Sequence, residues 1–523
     1  MSGITDSFVA HAQRYPNQLA IACGSQSLTY GELLHRVQQV ARVTATYKAQ
    51  HSTHPDHGFW VGILLSNRVE FLELFLGITM AGGVAMVLNP EWASPQLQSI
   101  LDRWTPGILV SDSQQLQRIE NLSSLKAIAL DILPADPSSY ENWLDPESAS
   151  LENQLTVQED FLELAIDPDS PFYIGFTSGT TGHPKGILRS HASWLNSFAA
   201  SRIEFDIGPT DQVLVPGSLV HSLSLYTAIE ALNMGASLHI LPHFTPKAIL
   251  LSLNQPSITR LVAVPTVLKT VANTAQSLSF SHLKTVIAGG SKLSPALRDQ
   301  LATVFPQADI LEYYGASELS FVSIASSRER IPSESVGRAF HGVTLSVQRD
   351  DGSGMAKVGE IGWIGIRSNM LCSGYLEPQP STGFRIEQGW ATVGDRGYLD
   401  ENGFLYLVGR EHDMLISNGI NVYPSEIEAV LLQLPEIENA VILGIPDDCR
   451  GDLICAIITW NGPKHLTRNT LIHHIRTQIG QAKCPRRFFA VKTLPTTTSG
   501  KPLRSHLQAQ ILQGHLSPQE LRT

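Results

Sequence analysis

Short runs of apolar and β-branched residues alternate with amphipathic stretches along much of this chain, and this alternation limits the folds it can adopt. The runs predict strands at residues 61–65, 85–88, 107–111, 127–129, 172–176, 213–216, 237–241, 260–264 and 285–288. Amphipathic stretches such as 94–104 and 295–304 predict helices between several of them. Strands that alternate with helices form parallel sheets, so we expect layered α/β sheets. Such sheets bind ligands beyond the carboxyl ends of their strands.

The pattern changes in the later part of the chain. A smaller β-rich region is predicted from runs at residues 343–349, 362–367, 397–399 and 404–408. After a charged joint at residues 409–413, the sequence predicts helices at 425–433 and 470–479 and strands at 440–444 and 454–459. We therefore predict an N-terminal domain over residues 1–409, made of layered α/β sheets plus a β-rich subdomain. A small α+β domain would follow over residues 410–523.

Composition excludes several classes of protein. Of 523 residues, 43% are apolar and 16% charged, so large buried cores are feasible. The net charge of −11 argues against a nucleic-acid binder, whose affinity would come from neutralising phosphates. The five cysteines form no CxxC pair, which favours a reducing compartment.

Membrane and targeting signals are weak. The N-terminus has neither the basic nor the apolar region of a signal peptide. The most apolar stretch, residues 71–88, carries Glu73 and three glycines, so we predict a buried helix and strand rather than a membrane span. The expectation is a cytoplasmic protein with no transmembrane segment.

The most informative segment follows the predicted strand at 172–176. It reads Thr177-Ser178-Gly179-Thr180-Thr181-Gly182-His183-Pro184-Lys185-Gly186. Glycines let backbone N–H groups turn towards an anion, hydroxyls add hydrogen bonds, and the lysine adds charge, so the segment predicts a phosphate-binding loop. It is not a Walker A loop, because His183 and Pro184 separate Gly182 from Lys185.

Further motifs extend this prediction. Residues 313–318 read Tyr-Tyr-Gly-Ala-Ser-Glu, which combines aromatic faces for a base with a hydroxyl and a carboxylate for phosphate and Mg²⁺. Residues 288–291 read Ala-Gly-Gly-Ser after a predicted strand, residues 390–395 end in Thr-Val-Gly-Asp, and residues 495–501 end in Ser-Gly-Lys.

Together with residues 28–33, these motifs resemble, in order, those of the adenylate-forming superfamily. That family includes acyl-CoA synthetases, peptide-synthetase adenylation domains and beetle luciferases. The resemblance extends from about residue 8 to residue 504, and it implies the family's fold, with a mobile C-terminal domain. It also implies ATP, Mg²⁺ and, for the synthetases, CoA as ligands.

The resemblance implies an ATP site spread over several loops. Its members are Thr177, Ser178, Gly179, Thr180, Thr181, Gly182, Lys185, Gly289, Gly290, Ser291, Tyr313, Tyr314, Gly315, Ser317, Asp395 and Arg410. By resemblance, Tyr314 stacks on adenine, Ser317 contacts phosphate and Asp395 binds the ribose. Arg410 would contact ribose and phosphate at the domain joint.

The implied catalytic residues are Lys501, Glu318 and His221. Lys501 would bridge the substrate carboxylate, a ribose oxygen and the α-phosphate, and Glu318 would be the Mg²⁺ ligand. His221 resembles a position near the substrate carboxylate, with a packed core histidine as the alternative. The hinge would lie at His412 or Asp413, and Gly419 would line the tunnel for the thiol.

These implications predict an AMP-forming acid–thiol ligase that makes an acyl-adenylate and transfers the acyl group to CoA. Residues 216–226 contain no carboxylate to hold an α-ammonium group, which disfavours amino acids. Apolar neighbours such as Leu219, Val220 and Leu225 favour a fatty or aromatic acid.

Because little chain follows Lys501, the acceptor is expected to be a separate molecule. CoA is the expected acceptor, and a free acyl or peptidyl carrier protein is the alternative. We expect a monomer or homodimer. Two other classes compete: a luciferase-like oxygenase, which would emit light, and a silent nucleotide-binding protein, which should lack a residue such as Lys501, Glu318 or Asp395.

Overall fold

The structure, a computed structural model, describes residues 3–50, 58–120, 122, 125–132, 136, 138–144, 166–177, 184–275, 278–332, 334–377, 383–417, 420–447, 451–496, 502–513 and 519–521. The described residues form two compact units, one of Met1–Thr344 with Arg367–Gln379 and one of Leu345–Ile366 with Pro380–Thr523.

The strands in chain order are β1 (Leu19–Cys23), β2 (Gln26–Thr29), β3 (Trp60–Leu64), β4 (Val84–Val87), β5 (Ile108–Ser111), β6 (Lys126–Ala129), β7 (Pro171–Thr177), β8 (Lys185–Ser190), β9 (Gln212–Val215), β10 (Ser237–Ile240), β11 (Arg260–Ala263), β12 (Thr285–Ala288), β13 (Asp309–Ala316), β14 (Ser320–Ser326), β15 (Arg338–Ala339), β16 (Thr344–Gln348), β17 (Gly362–Arg367), β18 (Gly374–Tyr375), β19 (Arg385–Glu387), β20 (Trp390–Thr392), β21 (Asp395–Leu399), β22 (Leu405–Arg410), β23 (Leu415–Ser417), β24 (Ile420–Val422), β25 (Ile437–Asp447), β26 (Gly451–Trp460), β27 (Arg487–Ala490) and β28 (Gln519–Glu520).

The α-helices are α1 (Asp6–Arg14), α2 (Tyr30–Gln50), α3 (Val69–Met80), α4 (Ser94–Arg103), α5 (Ser113–Leu116), α6 (Tyr140–Leu144), α7 (His191–Phe205), α8 (Ser222–Asn233), α9 (Pro246–Leu253), α10 (Pro265–Ala275), α11 (Pro295–Val304), α12 (Pro424–Leu431), α13 (Arg468–Ile479) and α14 (Arg504–Leu512).

Two sheets organise the first unit. One has the order β15-β14-β13-β12-β11-β9-β10-β1-β2, and the other has the order β18-β8-β7-β4-β3-β5-β6. Apolar residues of both sheets join those of α1, α2, α3, α7 and α8 in one core, while α9 to α11 pack on the far face of the first sheet. This layering confirms the predicted fold class.

The predicted strands before residue 289 all overlap observed strands, because strands buried between helices are nearly continuous apolar runs. The helices expected at residues 94–104 and 295–304 are α4 and α11. Ser294 caps α11, since its side chain accepts a hydrogen bond from the backbone N–H of Leu297, and a proline follows in the first turn.

The apolar stretch at residues 71–88 is α3 followed by β4, as predicted. The Glu73 side chain is buried there, and two hydrogen bonds compensate the cost of its burial. Arg36 Nε donates to it at 3.2 Å and the Tyr140 hydroxyl donates at 3.1 Å. No helix among the described residues combines the length and apolar character needed to cross a bilayer.

The second unit holds a β-rich part and a tail part. In the β-rich part the strand order is β19-β20-β17-β21-β22, and β16 also pairs with β17. In the tail, alternate residues of β25 and β26 face α12 and α13 on one side of a sheet and α14 on the other. The predicted helices at 425–433 and 470–479 are α12 and α13. The domain boundary between residues 409 and 410 falls at the end of β22 and stays a prediction.

Candidate active site

Loops that follow neighbouring parallel strands lie along one edge of the larger sheet. β11 pairs in parallel with β9 and β12, and β12 pairs in parallel with β13. The segments after β9, β12 and β13 contain His221, residues 289–291 and residues 317–318, respectively. Because the carboxyl ends of parallel strands share an edge, the topology brings these predicted site residues together.

Two glycines permit close packing at this edge. A Cβ on Gly289 would lie 2.5 Å from the Tyr313 ring, and one on Gly315 would lie 2.1 Å from the carbonyl oxygen of Ser320. Both distances are too short for any side chain. Burial raises the pKa of the Tyr313 hydroxyl, so Tyr313 stays neutral. Tyr314, its neighbour, is partly exposed.

Ser317 and Glu318 lie in the turn between β13 and β14. The Ser317 hydroxyl is 2.9 Å from the hydroxyl of Ser222, the first residue of α8. Glu318 Oε1 accepts a hydrogen bond of 2.7 Å from the Tyr375 hydroxyl. The turn therefore presents a hydroxyl and an oriented carboxylate side by side.

This oxygen set fits Mg²⁺. Magnesium in nucleotide sites is bound by one or two carboxylates, with water and phosphate oxygens completing the octahedron. One oxygen of Glu318 is held by the Tyr375 hydroxyl, which fixes the orientation of the carboxylate.

The two ends of the predicted phosphate loop lie side by side. β7 and β8 are antiparallel, and Thr177 is directly opposite Lys185. Lys185 Nζ is 5.6 Å from the centre of the Tyr375 ring, the same residue that bonds Glu318. Ser178, Gly179, Thr180, Thr181 and Gly182 lie outside the described residues.

His221 lies at the N-terminal end of α8, beside Ser222. Burial lowers the pKa of its imidazole, opposed by the charge of Glu91, so the ring is neutral at pH 7. The bond between Ser222 and Ser317 places this end of α8 next to the β13–β14 turn.

Asp395 and Arg410 are cross-strand neighbours in the second unit. They are directly opposite each other in the antiparallel pair β21–β22, and Arg410 Nε donates to Asp395 Oδ1 at 2.7 Å. Asp395 is only 4% exposed. Their pairing orients the Asp395 carboxylate.

The remaining predicted residues are in the tail part of the second unit. Asp413 is partly buried in a short 3₁₀ turn, Glu411–Asp413, which also contains the backbone of His412. The side chain of His412, and all of Gly419 and Lys501, lie outside the described residues. Thr496 pairs with Pro502 in an isolated bridge, so the chain on either side of residues 497–501 is held together.

Sequence analysis missed three residues that support these groups. Tyr375 hydrogen-bonds to Glu318, and Ser222 hydrogen-bonds to Ser317. Arg189 Nη1 donates to the carbonyl oxygen of Ser317 at 3.2 Å. A signal existed only for Arg189, a charged residue that directly follows the apolar pair Ile187-Leu188 in β8. A fully buried arginine normally has a specific partner.

Comparison with protein families gives two matches. Residues 8–376 match the family model for AMP-binding enzymes, and residues 426–501 match the model for the C-terminal domain of AMP-binding enzymes.

Relatives align along almost the whole chain. An uncharacterised acyl-CoA ligase of Bacillus subtilis, YhfT, is 34% identical over 507 residues, covering 97% of this chain and 98% of its own. A putative long-chain fatty acid–CoA ligase of Staphylococcus haemolyticus, VraA, is 34% identical over 505 residues, covering 96% and 97%.

Solved structures share the fold. MatB of Rhodopseudomonas palustris with bound ATP aligns with a TM-score of 0.83 at 23% identity, covering 97% of this chain and 99% of its own. The o-succinylbenzoate CoA synthetase MenE of Bacillus subtilis, in complex with its acyl-adenylate intermediate, aligns with a TM-score of 0.78 at 23% identity, covering 96% and 98%.

Proposed function

The chain belongs to the AMP-binding enzyme family, and on this premise we propose that it is an AMP-forming acyl-CoA ligase. In the first half-reaction a carboxylate oxygen of the acid attacks the α-phosphorus of ATP, the bond to pyrophosphate breaks, and an acyl-adenylate forms. In the second, the sulfur of CoA attacks the acyl carbon, AMP leaves, and the thiol proton is released.

The observation that carries this proposal is the β13–β14 turn. It places the Ser317 hydroxyl and the Glu318 carboxylate together, beside the Tyr375 ring that Lys185 also approaches. A hydroxyl, a metal-binding carboxylate and an ammonium are the groups needed to hold a triphosphate. Positioning and charge neutralisation account for most of the catalysis of such displacements.

Glu318 would hold Mg²⁺, which supplies positive charge to the phosphate oxygens when it is bound. The Thr177–Lys185 loop would bind the phosphates, and Ser317 would donate a hydrogen bond to the α-phosphate. Tyr314 would offer a flat face to adenine next to the turn at residues 289–291.

Asp395 would accept hydrogen bonds from the ribose hydroxyls, with Arg410 orienting it. His221, neutral at pH 7, would hydrogen-bond near the substrate carboxylate without adding charge. Lys501 would neutralise the charge that grows on the α-phosphate and the attacking carboxylate during displacement.

The predicted division at residues 409 and 410 gives the tail a role in both half-reactions. A hinge at His412 or Asp413 would let the domain of residues 410–523 deliver Lys501 for adenylation. The same motion would then bring Gly419 to the path of the CoA thiol, where a glycine lets the pantetheine arm pass close to the backbone.

The substrate would be a fatty or aromatic acid. Support comes from the buried apolar residues Leu219, Val220 and Leu225 around His221 and from the fatty-acid ligase name of the staphylococcal relative. CoA would be the acceptor, with a free acyl carrier protein as the alternative. We propose a cytoplasmic monomer or homodimer.

The test is pyrophosphate release across a panel of fatty and aromatic acids, with and without CoA. The expected result is acid-dependent release that CoA accelerates, with acyl-CoA and AMP identified by mass spectrometry. Turnover with a free carrier protein but not with CoA would show that the carrier protein, and not CoA, is the acceptor. No acid-dependent release with any member of the panel would overturn the proposed function.

A further inference from the structure

One buried arginine, Arg189, contacts the β13–β14 turn of the candidate active site. Arg189 is the next-to-last residue of β8 and is 2% exposed. Its guanidinium is charged at any physiological pH. Within the described part of the chain it has no ion-pair partner, and its Nε is buried without a hydrogen-bond partner. Keeping an unpaired charge buried costs several kcal/mol, so its position calls for an explanation.

Arg189 connects two segments that are distant in sequence. Nη1 donates to the carbonyl oxygen of Ser317 at 3.2 Å, and Nη2 donates to Ser320 Oγ at 2.5 Å and to the carbonyl oxygen of Met370 at 2.8 Å. The Ser320 hydroxyl also donates to the Met370 carbonyl at 2.8 Å. The planar guanidinium thus holds the β13–β14 turn against the chain at residue 370.

These two segments carry the proposed magnesium ligand and its partner. Glu318 lies in the turn, and Tyr375, which bonds Glu318, follows Met370. Ser320 has a φ of 60°, which is unfavourable for a residue other than glycine and persists only when neighbours enforce it. The bond from Arg189 to Ser320 is one of the contacts that enforce it.

We propose that Arg189 is a positioning residue for adenylation, which fixes the distance and orientation between the Ser317–Glu318 turn and Tyr375. It acts on Mg²⁺ and ATP through these groups, without touching either ligand. This inference rests on the proposed function, because it concerns the binding of MgATP for the first half-reaction.

The test replaces Arg189 with lysine and compares the effect with that of the same substitution at a second buried arginine, Arg260. Arg260 in β11 is 4% exposed, pairs with Asp211 at 2.9 Å and bonds the Thr285 hydroxyl. Both substitutions keep the charge and remove the planar fork. Each variant is assayed for thermal midpoint, MgATP dissociation constant by calorimetry without acid, pyrophosphate release, and thioester formation from supplied acyl-adenylate.

We expect R189K to weaken MgATP binding by at least about 10-fold and to slow adenylation by about 100-fold, the cost of a small misplacement at a reacting centre. Thioester formation should change by less than about threefold. R260K should lower the thermal midpoint and leave the MgATP dissociation constant unchanged. Equal MgATP affinity in R189K and wild type, or equal losses in both half-reactions, would overturn the inference.

If R189K does not fold, Ser320→Ala decides the question. It removes the Ser320 hydroxyl, which accepts a hydrogen bond from Arg189 and donates one to the Met370 carbonyl, and it leaves the arginine in place. Weaker MgATP binding with unchanged thioester formation supports the inference, and wild-type MgATP affinity contradicts it. A wild-type enzyme that activates no acid would instead refute the proposed function, so the two failures are distinguishable.

Discussion

The hydroxyl of Tyr375 is the direct support for Glu318, and its removal gives the first prediction. Tyr375→Phe keeps the ring beside Lys185 and deletes the 2.7 Å bond to Glu318 Oε1. A hydrogen bond to a charged group contributes about 1.5–3 kcal/mol, so we expect adenylation to slow by about 10- to 100-fold at limiting Mg²⁺. Titrating pyrophosphate release against Mg²⁺ should show a raised half-saturation concentration.

A matched control exists in the β-rich part of the second unit. The Tyr406 hydroxyl also donates to a carboxylate, Asp400 Oδ2, at 3.1 Å. Tyr406→Phe should leave the magnesium dependence unchanged. An identical response in both variants would mean that the Tyr375 bond has no specific role in the site.

A buried carboxyl on α8 predicts a pH effect on stability. Glu230 is 2% exposed and bonds Ser201, and burial raises its pKa to about 8 from an ordinary value of 4.5. The unfolded chain therefore ionises first as the pH rises. Between pH 4.5 and about pH 8, Glu230 therefore lowers the free energy of unfolding by about 1.4 kcal/mol for each pH unit.

Glu230→Gln removes the ionisable carboxyl group and keeps the shape of the side chain. We expect the variant to be more stable than wild type at pH 7.5, with the difference shrinking towards pH 4.5. Urea unfolding across this range measures it. A constant difference at every pH would show that Glu230 ionises normally in the folded protein.

At the scale of elements, α14 anchors the chain that follows Lys501. Its first residue, Arg504, makes two bonds to Glu428 of α12, at 2.7 and 2.8 Å, and a third to the carbonyl oxygen of Ile442. The N–H of Leu503 also bonds the carbonyl oxygen of Pro495 at 3.0 Å. The described flanks of residues 497–501 are therefore fixed to the tail.

Arg504→Lys loses the paired geometry because an ammonium cannot match both carboxylate oxygens. We expect adenylation to slow by about 10-fold or more, with thioester formation from supplied acyl-adenylate retained. Lys483→Ala, which breaks another ion pair of α12 at Glu426, is the control and should leave adenylation unchanged. Matching losses in the two variants would assign the effect to tail stability alone.

The elements also show what sequence could predict. Buried parallel strands such as β3 and β4 are apolar throughout, so composition locates them. The two-residue strand β18 pairs with β8 across a long sequence separation, and nothing local indicates it.

The same limit applies to the site. The motifs identified Ser317, Glu318 and Asp395 as candidate site residues. They did not indicate that Tyr375 and Arg189 would support the β13–β14 turn. Those contacts depend on how β8, β13 and β18 are brought together, which only the tertiary structure determines.

At the scale of the whole molecule, the residues proposed to bind ATP are divided between the two compact units. The first holds Lys185, Ser317 and Glu318, and the second holds Asp395 and Arg410. Under the proposed function, ATP activation would also need Lys501 from the tail sequence. Family membership extends over both units, since the models match residues 8–376 and 426–501.

The most direct test of acid activation by ATP is to separate the two half-reactions in Lys501→Ala. The exposed Lys492→Ala in the same tail serves as the control. We predict that Lys501→Ala loses acid-dependent pyrophosphate release while still forming acyl-CoA from supplied acyl-adenylate, and that Lys492→Ala performs both steps. Normal rates of both steps in Lys501→Ala would contradict the proposed mechanism.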